Sequence, residues 1–214
     1  MSGSKETGNR TYNAFFYGTL MHPRVLQRVI GVEGRHLQIS PAVLLEHTRH
    51  KVKQQDYPGV VSYQVAQSEN LVEQLERDER CVRGCLVTGL TERDILFLDV
   101  FEGSEYRRTK VETYPLEPLV DMSEYSKKDE ASLTPANPPP IPQPGALPSP
   151  VETETYIYLD PSRLEHDLWS FDDFVKENAW KWYGADARAR EDIVEVDRLR
   201  EEILAAKEAV KVAV

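Results

Sequence analysis

The sequence is poor in cysteine, because Cys81 and Cys85 are the only two among 214 residues. So small a number excludes a scaffold held by several disulfides, and the spacings His47-x-x-His50 and Cys-x-x-x-Cys do not form a strong zinc pattern. The apolar run of roughly 18 residues that a membrane-spanning helix requires is also missing. The N-terminal residues are polar and lack the apolar stretch of a signal peptide. We therefore expect a cytoplasmic protein with two free thiols and no metal site.

Positive charge is the second deficit of this chain. It has 26 lysines and arginines against 36 aspartates and glutamates, which gives a formal net charge of -10. Such a surface repels nucleic acid and anionic lipid headgroups. Neither nucleic acid nor a membrane is therefore an expected partner. The length is ample for a buried core that depends on neither disulfides nor a metal.

Short apolar or alternating segments predict several strands, at residues 12–17, 42–45, 60–65, 82–90, 106–114 and 153–158. One helix is predicted from Pro23 and a second from Thr91. The Thr91 hydroxyl can cap the N-terminus of the second helix, and the acidic residues that follow suit the positive end of the helix dipole. Residues 169–183 are helical in pattern. Regular strand-helix alternation is missing, so the predicted class is α+β with a small barrel or curled sheet rather than a doubly wound parallel sheet.

Composition divides the chain into an expected disordered lead-in at residues 1–11, a domain at 12–183 and a helical extension at 185–214. Within the domain, residues from about 117 to 152 are charged and then rich in proline. This composition predicts an extended surface insertion with neither helix nor strand. Binding of a domain that recognises proline-rich segments is the less favoured alternative.

The C-terminal extension predicts a long charged helix. One side of it is apolar: Ile193, Val196, Leu199, Ile203 and Val210. Such a helix either docks on the domain or pairs with a second copy of the chain, and it is too short to predict a coiled coil.

The segment Tyr17-Gly18-Thr19-Leu20 follows a short aromatic strand and precedes a helix. Glycine at this position allows a positive φ and the close approach of a ligand. Successive N–H groups in such a turn can converge on an anion, and the following helix adds partial positive charge. On this pattern alone, an ordinary strand-to-helix turn is the favoured interpretation.

Glu102 is a candidate general base at the end of an apolar helix face, beside Phe101 and before Gly103. Partial burial disfavours the charged carboxylate and raises its pKa towards the value that proton transfer near neutral pH requires. A solvated acid at a helix end is the alternative, and it is favoured for an isolated glutamate. Asp99 is expected to orient or cap backbone, and Glu105 to face solvent or pair with a neighbouring arginine.

Four segments taken together resemble one family. In chain order they are Tyr17-Gly-Thr-Leu20, Tyr57-Pro-Gly-Val-Val61, Val82-Arg-Gly84 and Leu98-Asp-Val-Phe-Glu-Gly-Ser-Glu-Tyr-Arg-Arg108. This series resembles the γ-glutamylcyclotransferase superfamily, in particular its avirulence-induced-gene-like and γ-glutamylamine cyclotransferase branch. The resemblance covers roughly residues 12–114 and 153–183, and its first and fourth segments are the most specific.

The resemblance implies a small mixed, largely antiparallel β-barrel with flanking helices, to which the long C-terminal helix is added. It assigns the catalytic role to Glu102 and implies that Tyr17, Gly18, Thr19 and Leu20 hold the amino-acid end of a substrate. It also implies that no cofactor is used.

Two further residues are candidate substrate contacts. Tyr106 is an aromatic strand residue that can line the pocket, although such residues more often belong to the core. Arg108 is a candidate partner of Glu102 or of a substrate carboxylate, and a surface arginine is an equally good interpretation.

The expected activity is conversion of a γ-glutamyl amine, amino acid or peptide to 5-oxoproline and a free amine. One alternative is a non-catalytic ligand-binding module that recruits partners through the proline-rich segment or the terminal helix. Another is different acyl-transfer or cyclisation chemistry in the same pocket.

Overall fold

A computed structural model describes residues 10–125, 141–183 and 190–212. The chain forms nine strands in these ranges: β1 Tyr12–Phe16, β2 Gln38–Leu45, β3 His47–Val52, β4 Pro58–Ser62, β5 Cys81–Leu90, β6 Tyr106–Pro115, β7 Val120–Asp121, β8 Val151–Tyr158 and β9 Leu164–Leu168. The α-helices there are α1 Pro23–Ile30, α2 Tyr63–Ser68, α3 Glu92–Glu102, α4 Met122–Tyr125, α5 Phe171–Glu177, α6 Trp180–Tyr183 and α7 Glu191–Val212.

Five strands close into a barrel in the order β5-β1-β8-β6-β2, because β2 pairs with β5 as well as with β6. The pairing of β1 with β8 is parallel, and the other pairings around the barrel are antiparallel. The short strand β7 extends the sheet beside β2, and β4, β3 and β9 form a separate antiparallel sheet. The α+β class with a small mixed barrel, predicted from the sequence, is confirmed.

The interior of the barrel is closely packed where β1 and β5 meet. A Cβ atom on Gly84 would lie 2.2 Å from the carbonyl oxygen of Phe16 and 2.6 Å from the ring of Phe15. Glycine is therefore required at residue 84 by the approach of two backbones rather than by an unusual φ. This contact fixes the end of β1, from which the turn at residues 17–20 begins.

Helices α1, α3 and α7 cover one side of the barrel with a continuous apolar cluster. Helix α3 begins at a capping box, in which the Thr91 hydroxyl accepts from the Asp94 N–H and the Asp94 carboxylate accepts from the Thr91 N–H. Its residues Ile95, Leu98 and Phe101 are buried at helical spacing. The cap and the apolar face together determine where the last turn of α3, with Glu102, lies.

Helix α7 docks on the domain through its first half. Ile193 and Val196 are fully buried in the main cluster. Arg28 of α1 donates hydrogen bonds to both carboxylate oxygens of Asp197, at 2.8 and 2.5 Å. Later residues of the helix such as Leu204 are exposed. Pairing with a second copy, the other use expected for this helix, stays a prediction.

The structure corrects the prediction for residues 117–152. Val120–Asp121 forms a strand beside β2, and Met122–Tyr125 forms a helical turn in which Met122 and Tyr125 are buried. These apolar side chains, set among polar residues, have enough burial to order the backbone around them. The prediction for residues 126–140 lies outside the described residues, as does the lead-in at residues 1–9.

Other segments differ from the predicted elements in detail. The strand predicted at residues 60–65 ends at Ser62, whose hydroxyl accepts from the Val65 N–H and so caps helix α2. The helical stretch at 169–183 is divided between α5 and α6. Strands β3 and β9 were not predicted, because their polar and charged residues alternate too weakly with apolar ones. No helix within the described ranges combines the length and apolar character that crossing a bilayer requires.

Candidate active site

The turn at residues 17–20 follows the C-terminal end of β1 and includes a 3-10 turn at Thr19–Met21. Gly18 has a φ of -123°, so the positive φ that a glycine would allow there is not adopted. Glycine is required there because a Cβ atom would lie 2.9 Å from Cγ of Pro58. The N–H groups of Met21 and His22 bond back to the carbonyls of Gly18 and Thr19. The first N–H groups of this short helical turn therefore have no acceptor within the turn itself.

A half-buried arginine, Arg49, binds the backbone at the start of the turn. Nη1 of Arg49 donates to the carbonyl oxygen of Tyr17 at 2.5 Å and to that of Arg83 at 3.2 Å. Its guanidinium also lies 5.0 Å from the ring centroid of Trp169, a cation–π contact. Burial lowers the pKa of Arg49 to about 10, so the group is still a cation at neutral pH. The sequence pattern did not single out this residue.

The turn and the end of helix α3 border one cavity, which encloses about 510 Å³ of empty space counted to its open mouth. Its walls come from β1 and the turn, from the segment before β4, from the α3–β6 junction, from β8 and from the C-terminal helices. The lining residues are Phe15, Phe16, Tyr17, Gly18, Thr19, Leu20, Tyr57, Pro58, Phe101, Glu102, Glu105, Tyr106, Tyr156, Trp182 and Asp192.

Glu102 is the acid at the centre of this arrangement. Its pKa is raised from 4.5 to about 8, first by burial and then by the negative charges of Asp192 and Asp99. Among the residues described, no cation lies within ion-pairing distance of it. The carboxyl is therefore placed to accept and return a proton near neutral pH.

Three tyrosines surround Glu102, and the hydroxyl of each donates its hydrogen bond to a group other than Glu102. The Tyr17 hydroxyl donates to the carbonyl of Tyr156, that of Tyr106 to the carbonyl of Pro58 at 2.8 Å, and that of Tyr156 to Asp99 at 2.9 Å. Burial raises the pKa of all three phenols, and the negative charge of Glu102 adds to this. They are consequently neutral at physiological pH, and they give the cavity a polar wall without a second base.

Comparison with known proteins assigns the family. The family described as "Gamma-glutamyl cyclotransferase, AIG2-like" matches residues 14–175, which include both the turn and Glu102. The chain belongs to the AIG2-like γ-glutamyl cyclotransferase family. The resemblance found in the four sequence segments is thereby confirmed.

Individual relatives of this family are distant. "Protein AIG2 C" of Arabidopsis thaliana is 30% identical over 103 residues, covering 48% of this chain, so the chain spans about half (52%) of that relative's length. A solution structure from Arabidopsis thaliana has 22% identity and a TM-score of 0.48, with 88% of this chain and 86% of that one covered. An AIG2-like protein from Mus musculus has 17% identity and a TM-score of 0.46, with 75% and 88% covered.

Six of the seven residues proposed from the sequence border the cavity of this AIG2-like protein, and Arg108 does not. Its guanidinium bonds to Asp99 at 2.9 Å and also pairs with Glu154. Of the interpretations weighed for Arg108, pairing with Glu102 does not occur, because the guanidinium is paired with Asp99 and Glu154. The register of β6 and β8 places Arg108 opposite Tyr156, which is two residues after Glu154 on β8.

Glu105 was expected to face solvent or pair with an adjacent arginine, and it borders the cavity instead. Its carboxylate accepts from the Tyr57 hydroxyl at 2.7 Å and from Arg163 at 2.5 Å. Arg163 is far along the chain, so sequence spacing gave no indication of the pair. Tyr57, by contrast, lies in one of the four family segments and could have been proposed from that position.

Trp182 and Asp192 are cavity residues that the sequence interpretation missed. They belong to α6 and α7, beyond residue 175 where the family match ends. An aspartate in the first turn of a charged helix carries no local sign of facing a pocket. Only the docking of α7 onto the domain brings Asp192 near Glu102.

The candidate metal ligands weighed from the sequence have other contacts. His50 bonds through its ring nitrogens to the Thr48 hydroxyl at 2.9 Å and to the Glu165 carbonyl at 3.0 Å. Sγ of Cys81 donates to the carbonyl oxygen of Arg77 at 3.0 Å, and Sγ of Cys85 lies 3.6 Å from the Tyr125 hydroxyl. Within the described part of the chain, no three histidines, cysteines or acids lie together as a metal-binding group would.

Proposed function

We propose that this protein converts a γ-glutamyl amine, amino acid or peptide to 5-oxoproline and a free amine. The observation that carries the proposal is Glu102, a carboxyl with a raised pKa that shares one cavity with the turn at residues 17–20. Membership of the AIG2-like γ-glutamyl cyclotransferase family supports the same reaction. The cytoplasmic location expected from the sequence stays a prediction, as does a protein partner for the proline-rich segment.

The reaction is an intramolecular acyl transfer. The α-amino nitrogen of the glutamyl group attacks its own γ-carbonyl carbon and closes a five-membered lactam, and the bond from that carbon to the leaving nitrogen breaks. Since both reacting groups belong to one molecule, the protein contributes mainly by holding the curled conformer. The cavity, bounded by the turn on one side and aromatic rings on the other, suits such a compact shape.

Glu102 acts as the general base and then as the general acid. At neutral pH the amine is an ammonium and has no lone pair for attack, so Glu102 first accepts a proton from it. Glu102 then returns a proton to the leaving nitrogen as the carbon–nitrogen bond breaks. Of the three ammonium hydrogens, one stays on the lactam nitrogen and two end on the released amine, which leaves as an ammonium ion. One carboxyl performs both transfers because its pKa is about 8.

The remaining cavity residues bind and orient the substrate in this proposal. Backbone N–H groups of Gly18, Thr19 and Leu20 hold the substrate carboxylate or the oxyanion that develops on the γ-carbonyl oxygen. Tyr17 and Tyr106 form the wall beside them. Arg108 acts indirectly, since it donates to both carboxylate oxygens of Asp99, and the Tyr156 hydroxyl donates to Oδ1 of the same carboxylate.

The proposal is tested by incubating the protein with a panel of γ-glutamyl amines, amino acids and peptides and measuring 5-oxoproline by mass spectrometry. Glu102→Gln keeps the shape of the side chain but removes the base, so we expect product formation to fall by at least ~100-fold. Glu92→Gln, at the exposed first turn of the same helix, is the matched control and should retain full activity.

Circular dichroism and thermal unfolding establish that both variants are folded. Turnover by Glu102→Gln at the rate of the unaltered protein would remove Glu102 from the mechanism. If the unaltered protein forms no 5-oxoproline from any compound of the panel, the proposed reaction is wrong, and ligand binding without catalysis becomes the better interpretation.

A further inference from the structure

The cavity is lined by three carboxylates, and they differ in the number of hydrogen bonds that their oxygens already accept. Glu105 accepts hydrogen bonds from a tyrosine and from Arg163. Asp192 has Arg190 at 3.9 Å, a distance too long for a hydrogen bond, and none of the described groups donates a hydrogen bond to it. Glu102 likewise accepts none from the described residues. Asp192 and Glu102 are thus the cavity acids that retain their acceptor capacity.

The position of Asp192 is fixed from both sides of its backbone. Before it, Arg190 donates to both carboxylate oxygens of Asp56, each at 3.2 Å, and its guanidinium lies 3.4 Å from the ring centroid of Trp182. After it, Ile193 is fully buried in the main apolar cluster. The first turn of α7 is therefore anchored to the domain, and the Asp192 carboxylate is presented to the cavity rather than left on a loose chain end.

The charge around this carboxylate favours a cation. Arg163 and Arg190 line an adjoining pocket that shares Glu105 and Asp192 with the cavity, and their hydrogen bonds go to Glu105 and Asp56. Arg190 forms only a long ion pair with Asp192, at 3.9 Å. Asp192 and Glu102 line the same cavity, and the negative charge of Asp192 adds to the raised pKa of Glu102. Two nearby carboxylates without a cation between them form a site that an ammonium group complements.

We propose that Asp192 binds the α-ammonium group of the substrate beside Glu102, so that helix α7 completes the active site. The inference rests on the proposed function for the identity of the ligand. An ammonium has three N–H donors, so it can bond to Asp192 while Glu102 accepts its transferable proton. Because Asp192 lies beyond residue 175, this contact is an addition that the chain makes outside the segment matched by its family.

The experiment measures binding without turnover, by calorimetry on the full chain carrying Glu102→Gln. The ligands are the γ-ethylamide of L-glutamate and N-ethylglutaramate, which is the same molecule without its α-amine. We expect Asp192→Asn to weaken binding of the first ligand by about tenfold and to leave binding of the second unchanged. Asp192→Glu, which retains the charge, should recover part of the lost affinity.

Glu195→Gln is the matched control, because Glu195 is on the same helix, exposed and paired with Arg198 outside the cavity. It should bind both ligands as the parent does. Equal losses for the two ligands in Asp192→Asn would mean that Asp192 only shapes the cavity and would overturn the inference. Unchanged affinity for the aminated ligand, or no binding of it by the parent, would overturn it as well.

Failure of this inference can be told apart from failure of the proposed reaction. Binding that depends on both Asp192 and the α-amine, with no 5-oxoproline formed by the unaltered protein, would support the ammonium site and exclude the reaction. Formation of 5-oxoproline by the unaltered protein, with binding indifferent to Asp192→Asn, would support the reaction and exclude the ammonium site.

Discussion

At the scale of single residues, the cavity is lined by acids and by tyrosines whose hydroxyls already donate hydrogen bonds to other groups. Asp99 accepts hydrogen bonds from Arg108 and Tyr156, whereas Glu102 accepts none from a cation or a hydroxyl of the described residues. The difference explains why two acids three positions apart in one helix have different environments. Asp99 forms an ion pair with Arg108, whereas burial raises the pKa of Glu102 and so favours its neutral form.

The raised pKa of Glu102 predicts how activity depends on pH. A general base must be ionised, so kcat/KM should rise with pH through an acidic limb near 8, the pKa of this carboxyl. Asp192→Asn removes a negative neighbour, so the limb should move to lower pH. The titratable or charged groups that face Glu102 or line its cavity are Tyr17, Tyr57, Asp99, Glu105, Tyr106, Tyr156 and Asp192.

The measurement is kcat/KM between pH 5.5 and 9.5, with a γ-glutamyl substrate that saturates the protein at attainable concentrations. The tyrosines have raised pKa values and do not titrate in this range, so the limb reports the carboxyls. A limb near pH 4.5, the ordinary value for a glutamate, would contradict the role of Glu102 as a partly buried base.

Among the secondary-structure elements, the turn after β1 depends on its contact with the first residue of β4. Gly18 packs against the Pro58 ring, and the carbonyl of Pro58 in turn accepts from the Tyr106 hydroxyl. Three elements of the cavity wall are thus linked through one glycine. The glycine is needed for space rather than for a positive φ, since its φ is -123°.

Gly18→Ala should therefore impair the site more than the fold. The added methyl would meet the Pro58 ring at 2.9 and 3.1 Å, which forces the ring and the turn apart. We expect kcat/KM to fall by at least tenfold and the free energy of unfolding to fall by about 1–3 kcal/mol. Gly145→Ala is the control, since a Cβ there meets nothing within 4 Å, and it should leave both quantities unchanged. Full activity in Gly18→Ala would contradict this account of the turn.

For the molecule as a whole, the docking of α7 contributes both to the stability of the fold and to the lining of the cavity. The helix is joined to α1 by the Arg28–Asp197 pair and to the main cluster by Ile193 and Val196. Its first turn also presents Asp192 to the cavity. A change that loosens this helix should consequently affect both unfolding and substrate binding.

Ile193→Ala tests whether α7 is docked on the domain. Ile193 is fully buried, so its truncation should lower the free energy of unfolding by roughly 2–5 kcal/mol, measured by denaturant titration. Val194→Ala removes apolar atoms from the adjacent residue, which is 49% exposed, and should change stability by less than about 0.5 kcal/mol. Equal effects of the two substitutions would mean that α7 is not docked as described.

The local parts of this fold could be predicted from the sequence. The alternation of residues 153–158, the hydroxyl cap at Thr91 and the glycine at the end of α3 each specify an element by interactions within a few residues. The partners of Arg108 and Glu105 could not be predicted, because Glu154 and Arg163 are 46 and 58 positions away. Such pairs depend on strand register, which no local spacing encodes.

By itself the sequence determined the class of the fold, the turn at residues 17–20 and Glu102 as the candidate base, since each depends on short-range pattern and on four segments typical of one family. Only the tertiary structure decided that these two elements share one cavity, that the Arg108 guanidinium is paired with Asp99, and that Asp192 lines the same cavity as Glu102. The physical reason is that burial and charge at Glu102 are set by groups from β1, β6, β8 and α7. Their proximity exists only once the barrel has closed and the last helix has docked.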